Sequence, residues 1–468
     1  MLTEKNNSTT IEITNECSSR DFKASFKDHD YTLTFETSED GLIDSHKYTI
    51  KDVLYDDSLR FFPFEQRVEM MSSWFDDLIH NKHAFFRNIV HSSCGAVVKI
   101  EDPETGIIRD FINYSSNDYL NLQHHPRVKL AALKALEEFG LGAGASSTIS
   151  GTTRLHHELE DTIARMKGCE SALIQASGYA TNLGVMKAMM NRNDIILFDL
   201  YAHASLIDGF TDSSVNKVFF NHNDMENLEY FLKRCKNDYV NKLIVVEGVY
   251  SMDWDIAPLD KIVELARKYK AWVLVDEAHA TGVLGNNGHG TLELFGLEGQ
   301  VDIVTGTLSK ALGSIGGFVA GNKKLINYLQ CANRSFVFST SPFVPAVAAV
   351  LEGLRVVEDE LFIRRSLWLN IYKMRDSLRE LGFNIGETNS PIIPIIIGDS
   401  SKVIAISNHL REEGIYVVPI VYPVVARDKA RLRISITAEH TNAQIRKTVN
   451  LLETLGVKYG LIPQRHHI

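Results

Sequence analysis

The sequence predicts an α/β fold, in which helices cover both faces of a mostly parallel sheet. From about residue 126, short apolar runs alternate with segments whose apolar residues recur at helical spacing. The runs "IILFD", "NKLIVVEGV" and "AWVLVDEA" are almost continuously apolar. This pattern is typical of the strands of a parallel sheet, because both of their faces are buried.

The segments on either side of this alternation have a different character. Residues 1–60 are polar, and within them "YTLTFETSEDG" alternates like a strand that ends in a turn. "PFEQRVEMMSSWFDDLIHNKHAFF" then indicates an amphipathic helix, and "GAVVKIEDPETGIIRDFINYSSNDYL" indicates two strands around a Pro/Gly turn. The next helix, "PRVKLAALKALEEFG", has Pro near its start and Gly after its end.

The chain length and these patterns predict four segments. A chain of 468 residues has room for several domains at roughly 100–200 residues each. After about residue 355, helices and the β-type runs "PIIPIIIG", "IYVVPI" and "RLRISI" indicate a smaller α+β domain. We therefore expect an N-terminal extension over 1–60, a lead-in segment over 61–125, a large domain over 126–355 and a small C-terminal domain over 356–468.

Composition excludes several classes of protein. The formal net charge of −10 argues against a general nucleic-acid binder, which needs a basic face. Five scattered cysteines without a CxxC pair argue against a disulfide framework or a zinc site, and we expect no metal. The N-terminus lacks the apolar core of a secretory signal, and no run is long enough to span a membrane. We expect a soluble cytoplasmic protein.

The letters DEAH in "AWVLVDEAHATG" suggest the magnesium-binding motif of some helicases. Such an ATPase also needs a loop of the form GxxxxGK[ST], whose backbone N–H groups surround the phosphates. The dipeptide Gly-Lys occurs nowhere in the chain. The Asp and the His of this segment must therefore serve another chemistry.

Several polar residues follow the predicted strands, where ligands of open α/β sheets gather. Asp276 ends "WVLV" and His279 follows it, while Lys310 lies among small residues in "TGTLSKALGSIGG". A lysine of this kind can form an imine, and an aspartate can pair with a protonated ring nitrogen. Gly178, at the start of a helix in "ASGYATN", can admit a phosphate. Together these features indicate pyridoxal 5′-phosphate (PLP).

Residues 110–455 resemble the α-oxoamine synthases, a family of fold-type I PLP-dependent transferases. The resemblance rests on segments that occur in the family's order: "YSSNDYL", "GAGASSTISGTTRLHHELE", "ASGYATN", "EGVYSMDWDIAPL", "VDEAHATGVLG", "TGTLSKALGSIGGFVAG", "FSTSP" and "RLRISITAEHT". It implies a large mixed-sheet domain with helices on both faces and a smaller α+β C-terminal domain.

The resemblance also implies roles for individual residues. Lys310 resembles the Schiff-base lysine, and Asp276 the partner of the pyridinium nitrogen. His279 resembles the residue bonded to the phenolic oxygen of the cofactor, and His203 the imidazole stacked on its ring. The resemblance further implies a cofactor contact at Ser251, a phosphate-binding set of Gly178, Tyr179, Thr307 and the partner subunit's Thr340, and a carboxylate site for the amino acid at Arg433 and Asn117, with Asn117 often supplied across a dimer interface.

The sequence departs from the family pattern at three places. Asn121 in "DYLNL" replaces a small turn glycine, and Trp254 in "SMDWD" stands where a glycine is common. About 100 residues precede the family core, more than compact bacterial members carry. The substitutions concern loop geometry, whereas the extension could recruit a carrier, shape the acyl tunnel or pad a dimer.

The activity implied is a decarboxylating condensation of serine, glycine or alanine with an acyl-CoA or acyl-carrier-protein thioester, by a homodimer. A serine palmitoyltransferase-like activity is favoured. The alternatives are an 8-amino-7-oxononanoate synthase-like or 2-amino-3-ketobutyrate CoA ligase-like activity, or a fold-type I aminotransferase. An inactive partner subunit is disfavoured, because such subunits tend to lose the lysine.

Overall fold

The computed structural model describes residues 19–464 except 28, 46, 81–86, 103–104, 211–214, 236–237 and 252–254. Trp254 and Cys17 lie outside these described residues. The chain forms two compact units. The first comprises Met1–His91, Lys99–Arg109 and Ile396–Leu432, and the second comprises Ser92–Val98, Asp110–Ile395 and Arg433–Ile468. The predicted boundaries at residues 60, 125 and 355 are drawn differently and stay predictions.

The strands are numbered in chain order. They are β1 Ser19–Phe26, β2 His29–Glu36, β3 Val97–Glu101, β4 Ile108–Asn113, β5 Ser171–Gln175, β6 Ile195–Asp199, β7 Asn216–Phe220, β8 Lys242–Glu247, β9 Trp272–Asp276, β10 Ile303–Thr307, β11 Gly317–Gly321, β12 Ile392–Gly398, β13 Ile415–Tyr416, β14 Val418–Ile420 and β15 Ala430–Ser435. Each predicted strand run of the large domain and of the C-terminal region overlaps at least one of these strands, and the run "IYVVPI" contains both β13 and β14.

The α-helices are numbered in the same way. They are α1 Ile50–Leu54, α2 Phe64–His80, α3 Pro126–Phe139, α4 Arg154–Met166, α5 Gly178–Met189, α6 Ala204–Ile207, α7 Met225–Arg234, α8 Leu259–Tyr269, α9 Thr291–Phe295, α10 Lys323–Ala332, α11 Arg334–Val337, α12 Val344–Asp359, α13 Leu361–Leu381, α14 Ser400–Glu412 and α15 Asn442–Lys458. Helix α3 begins with Pro126 and is capped by Gly140 after its last residue, as its sequence predicts.

A seven-stranded mixed sheet forms the centre of the second unit. Its strand order is β5-β11-β10-β9-β8-β6-β7. Strands β10, β9, β8, β6 and β7 run parallel, whereas β11 runs antiparallel to both β10 and β5. The predicted α/β class with a large mixed sheet is confirmed. Because the five parallel strands end at one edge, the polar residues that follow them meet there.

Residues 19–80 form a small module with a core of its own. Strands β1 and β2 pair antiparallel over their whole lengths. Phe35, Met70 and Trp74 are among the residues of this core, and the Trp74 indole donates a hydrogen bond to the Tyr48 carbonyl at 2.9 Å. The region that the sequence indicates as a polar extension therefore buries enough apolar surface to form ordered structure.

A buried ion pair lies directly beside the sheet edge that carries the polar residues. Lys167 and Glu277 are both fully buried, with Nζ and Oε2 3.6 Å apart. Lys167 also donates to Thr281 Oγ1 at 2.9 Å, and Glu277 accepts from the Thr291 N–H at 3.0 Å. A Cβ atom on Gly290 would lie only 1.8 Å from Glu277 Oε2, so this close approach requires glycine.

Glu277→Gln is expected to lower the free energy of unfolding by about 3–5 kcal/mol, because it leaves the Lys167 ammonium buried without its counter-charge. Urea unfolding followed by circular dichroism measures the loss. Glu138→Gln is the control, since it breaks an exposed pair with Arg154 and should change stability little. Equal losses in the two variants would contradict a special role for the buried pair.

Among the described residues, no helix is both long enough and apolar enough to cross a membrane.

Candidate active site

Lys310 lies in the tight loop that connects β10 to β11. The two strands pair up to Thr307 and Gly317, and Gly313 donates its N–H to the Lys310 carbonyl at 2.8 Å. Gly313 has φ +62° and Gly316 has φ +125°, conformations that favour glycine over other residues. The glycines that flank the lysine in the sequence thus allow the loop to turn back toward the sheet.

The Lys310 amine contacts His279. Lys310 Nζ lies 2.7 Å from His279 Nε2, and His279 Nδ1 lies 2.8 Å from the Tyr119 hydroxyl. Burial lowers the pKa of Lys310 to about 8, although Asp276 and Glu247 oppose this shift. Burial, followed by the Lys310 charge, also holds the pKa of His279 well below its ordinary value. The pair therefore provides a neutral imidazole beside an amine that loses its proton easily.

Asp276 ends β9 and is held by two donors. Asn182 Nδ2 donates to Asp276 Oδ2 at 2.7 Å, and the Ala278 N–H donates to Oδ1 at 2.9 Å. Asp276 is 5% exposed. Its position at the last residue of a parallel strand explains why it reaches the edge where ligands bind.

Glu247, which was not among the predicted site residues, lies beside Asp276. The two residues are register partners at the ends of β8 and β9. Glu247 is 3% exposed, and burial followed by the Asp276 charge raises its pKa well above the ordinary value. Among the described residues its Oε1 atom has no hydrogen-bond partner, nor has Asn182 Oδ1. The Asp276 carboxylate, with the unfilled acceptors of Glu247 and Asn182 beside it, indicates a place for a positively charged N–H group.

His203 begins a short chain of hydrogen bonds that leads to Asp276. His203 Nδ1 accepts from the Ser205 N–H at 3.2 Å and lies 2.8 Å from Ser205 Oγ. Ser205 Oγ in turn accepts from Asn182 Nδ2 at 2.9 Å. Burial lowers the pKa of His203, so its ring is uncharged near neutral pH. A neutral, fixed ring of this kind can lie flat against a planar ligand.

The start of α5 approaches the ends of β10 and β11 closely. A Cβ atom on Gly178 would lie 2.9 Å from Thr307 Cβ, and one on Gly317 would lie 2.6 Å from Gly178 Cα. Thr307 Oγ1 lies 2.7 Å from Ser309 Oγ. The Ser177 side chain caps α5 by accepting from the Ala180 N–H at 3.1 Å. Backbone N–H groups at a helix start, with hydroxyls beside them, suit a phosphate.

The remaining residues that are predicted to contact the cofactor differ in their exposure and their hydrogen-bond partners. Tyr179 is half exposed, and its hydroxyl donates to Asp208. Ser251 follows β8 in the chain and is buried. Thr340 is exposed and pairs with Ser146 through an isolated β-bridge. The roles of these three residues stay predictions.

Asn117 and Arg433 meet within one chain, although they are far apart in sequence. The Arg433 guanidinium donates to Asn117 Oδ1 at 2.8 Å. Burial lowers the Arg433 pKa, and the neighbouring Tyr119 opposes the shift. The expectation that Asn117 is often supplied across a dimer interface stays a prediction. The pair is suited to a carboxylate, because the planar guanidinium can hold both oxygens.

The DEAH letters therefore have separate structural roles. Asp276 and His279 belong to the cluster around Lys310, whereas Glu277 forms the buried pair with Lys167.

Asn121, the first departure from the family pattern, adopts a left-handed turn with φ +56°. Asparagine tolerates this conformation better than most residues, so the turn keeps its shape without glycine.

Comparisons with known proteins identify the family to which this chain belongs. The aminotransferase class I and II model matches residues 109–452. The 8-amino-7-oxononanoate synthase of Thermoanaerobacter pseudethanolicus is 44% identical over 354 residues, which cover 76% of this chain and 90% of the relative. A high-resolution structure of SPT, serine palmitoyltransferase, with PLP has a TM-score of 0.80 at 32% identity and covers 86% of this chain and 100% of that chain. The chain belongs to the α-oxoamine synthases, within the aminotransferase class I and II family.

A further α-oxoamine synthase structure, the 8-amino-7-oxononanoate synthase of Francisella tularensis, has a TM-score of 0.64 at 27% identity and covers 75% of this chain and 99% of that chain. This α-oxoamine synthase is a PLP-dependent C-acyltransferase that condenses a small amino acid with an acyl thioester and releases CO2. The predicted family, fold type and cofactor are confirmed. The sequence relatives favour the 8-amino-7-oxononanoate synthase alternative over the serine palmitoyltransferase-like activity that the sequence analysis preferred.

The residues of this α-oxoamine synthase fit PLP. The unfilled acceptors of Glu247 and Asn182, next to Asp276, match a protonated ring nitrogen. The start of α5 matches the phosphate, and the Lys310 amine matches the aldehyde carbon. When bound, the cofactor supplies an electron sink for a carbanion at the amino acid Cα.

Proposed function

We propose that this chain catalyses the 8-amino-7-oxononanoate synthase reaction. The observation that carries the proposal is the 44% identity to such an enzyme over 354 residues. The product name describes a nine-carbon acid with a ketone at C7 and an amine at C8. Disconnection of the bond between these carbons gives a seven-carbon dicarboxylic acyl group and alanine that has lost its carboxylate. The substrates would be alanine and the thioester of that acyl group.

The proposed roles of the residues follow from their contacts. Lys310 would take the proton from the amino acid Cα, since its lowered pKa leaves a neutral amine available near neutral pH. Asp276 would hold the ring nitrogen in its protonated form. His203 would stack on the face of the ring, and His279 would bond to its phenolic oxygen. The rest of the cofactor would be held by Ser251, Gly178, Tyr179, Thr307 and Thr340.

The acyl specificity is tested by a matrix of amino acids and thioesters. We expect alanine with the seven-carbon dicarboxylic thioester to give a kcat/KM at least roughly tenfold above that of any other pair, since single methylenes change this ratio about 10–200-fold. Glycine and serine are the competing amino acids, and acetyl and palmitoyl groups, on CoA and on a carrier protein, are the competing donors. Free thiol and labelled CO2 are measured, with Lys310→Ala as the blank.

A serine palmitoyltransferase-like activity is the second candidate. It is favoured by backbone similarity, since the SPT structure has the higher TM-score, 0.80 against 0.64. Highest turnover with serine and a palmitoyl thioester would replace the first proposal with this one. Absence of CO2 release with every thioester, together with transamination by an α-keto acid, would contradict both candidates and support an aminotransferase.

Arg433→Lys is expected to raise the KM for alanine about 10–100-fold, because a charged hydrogen bond contributes about 1.5–3 kcal/mol and lysine lacks the bidentate fork. Steady-state kinetics at saturating thioester measures it, with PLP affinity as a second readout. Arg446→Lys, at an exposed position on α15, is the control. Weaker PLP binding with an unchanged KM would move Arg433 out of the carboxylate site.

We also propose a homodimer, in which Thr340 reaches the cofactor phosphate of the partner subunit. The exposure of Thr340 in the single chain supports this assignment. Sedimentation equilibrium tests the dimer. Mixed dimers of Lys310→Ala and Thr340→Ala chains test the sharing, since one of the two sites would then be intact. Absence of recovered activity in purified mixed dimers would contradict it. The cytoplasmic location stays a prediction.

A further inference from the structure

A second cavity lies at the opposite edge of the central sheet from the Lys310 cluster. It has a volume of about 400 Å³, and Lys242 and Trp272 line it. These are the first residues of β8 and β9, whose last residues are Glu247 and Asp276. At about 3.3 Å per strand residue, the two edges are roughly 15 Å apart. The cavity is therefore separate from the proposed reaction site, and its size lies in the range of small-molecule sites.

Lys242 is the feature of this cavity that points to a ligand. The residue lines the cavity and is 6% exposed, so most of its side chain is packed among the lining residues. The carboxyl of Asp194, which precedes the neighbouring strand β6, accepts from the backbone N–H groups of Asn191 and Asn241, at 2.9 and 3.0 Å. Lys242 therefore supplies a positive charge to the cavity, which favours an anion there.

A second cation and a helix start lie in the same cavity. Lys324 is in the first turn of α10, which Asn322 caps by accepting from the Leu325 N–H at 2.8 Å. The amino end of a ten-residue helix adds partial positive charge. Both ammonium groups and the helix start therefore favour one negatively charged group.

The rest of the lining is apolar and includes two aromatic rings. Leu243 and Leu325 are buried, Met189 adds a flexible thioether, and Trp272 and Tyr328 expose 37% and 52% of their surfaces. Indole and phenol rings bind planar or aliphatic groups on their faces. We propose that this cavity binds an organic anion that has an aromatic or aliphatic body and one terminal acidic group.

Fluorine NMR of the full-length holoenzyme, labelled with fluorotryptophan, tests the proposal. The chain has four tryptophans, and Trp272→Phe assigns the relevant resonance. Naphthalene-2-carboxylate is the probe, and we expect it to shift the Trp272 signal saturably. Naphthalene-2-methanol, the neutral analogue, should bind at least tenfold more weakly. Equal binding of the two compounds, or no saturable shift, would overturn the proposal.

Charge removal supplies the second part of the test. Lys242→Met, which removes the charge and keeps an unbranched side chain one atom shorter, should weaken probe binding about 10–100-fold. Lys324→Met should weaken it as well and serves if the first variant does not fold. Lys323→Met, on the same helix turn but outside the cavity lining, is the matched control and should leave binding unchanged. Unchanged binding in both Lys242→Met and Lys324→Met would refute the site.

Two further arms separate this cavity from the reaction site and identify the acidic group. The probe should bind Lys310→Ala with unchanged affinity, and loss of binding in that variant would assign the probe to the reaction site instead. Comparison with 2-naphthyl phosphate shows whether carboxylates or phosphate monoesters bind more tightly, and either order supports an organic-anion site.

Discussion

Lys310→Ala is expected to lower the rate of acyl transfer by roughly 10⁴-fold or more, the upper end of what a positioned proton-transfer group contributes. The structure places the amine 2.7 Å from His279 and buries it beside Asp276 and Glu247. Methyl replacement removes both the group that would hold the cofactor carbon and the base for the Cα proton.

Release of thiol from the acyl donor measures the loss, and the visible absorption of the PLP-loaded protein provides an independent readout. The wild-type band should disappear on borohydride reduction, and the variant should lack this reducible band. Lys323→Ala, an exposed lysine outside the cluster, is the matched control. A reducible band at full intensity in Lys310→Ala would show that another lysine holds the cofactor.

Asp276→Asn is expected to slow deuterium exchange at the Cα of alanine by about 10²–10³-fold, the effect of removing one group that stabilises developing charge. The amide keeps the shape of the side chain but cannot hold a ring nitrogen protonated. Exchange is followed by proton NMR without any thioester, so the measurement isolates the proton-transfer step.

Glu247 allows a second test of this role, because its carboxyl lies next to that of Asp276. The double variant Asp276→Asn with Glu247→Gln should lose more exchange than either single variant if Glu247 partly replaces Asp276. Asp302→Asn is the control, since the Asp302 carboxyl accepts from the Val273 N–H at the far edge of the sheet. Exchange at the wild-type rate in Asp276→Asn would contradict the proposed role.

Much of the candidate site could be predicted because its members follow strands or occur in family motifs. The end of an apolar run marks Asp276, and parallel strands bring such ends together. Resemblance to the family supplied Asn117 and Arg433, whose contact spans more than three hundred residues and has no local signal.

Other features could not be predicted, for identifiable reasons. Glu247 stands at the end of "LIVVE", where its letter alone does not show that it faces Asp276 rather than solvent. Lys167 follows the last residue of α4 and has the pattern of an ordinary helix C-terminus, where cations are common. Its burial against Glu277 depends on tertiary packing that periodicity does not contain.

The adjacency of Asp276 and Glu277 limits how this protein could be redesigned. Position 276 belongs to the proposed cofactor site, whereas position 277 neutralises a lysine in the interior. A library that randomises both positions would lose most members as unfolded or aggregated chains before any were assayed for a new reaction. Screens that vary 276 while holding 277 acidic would instead sample altered chemistry on an intact scaffold.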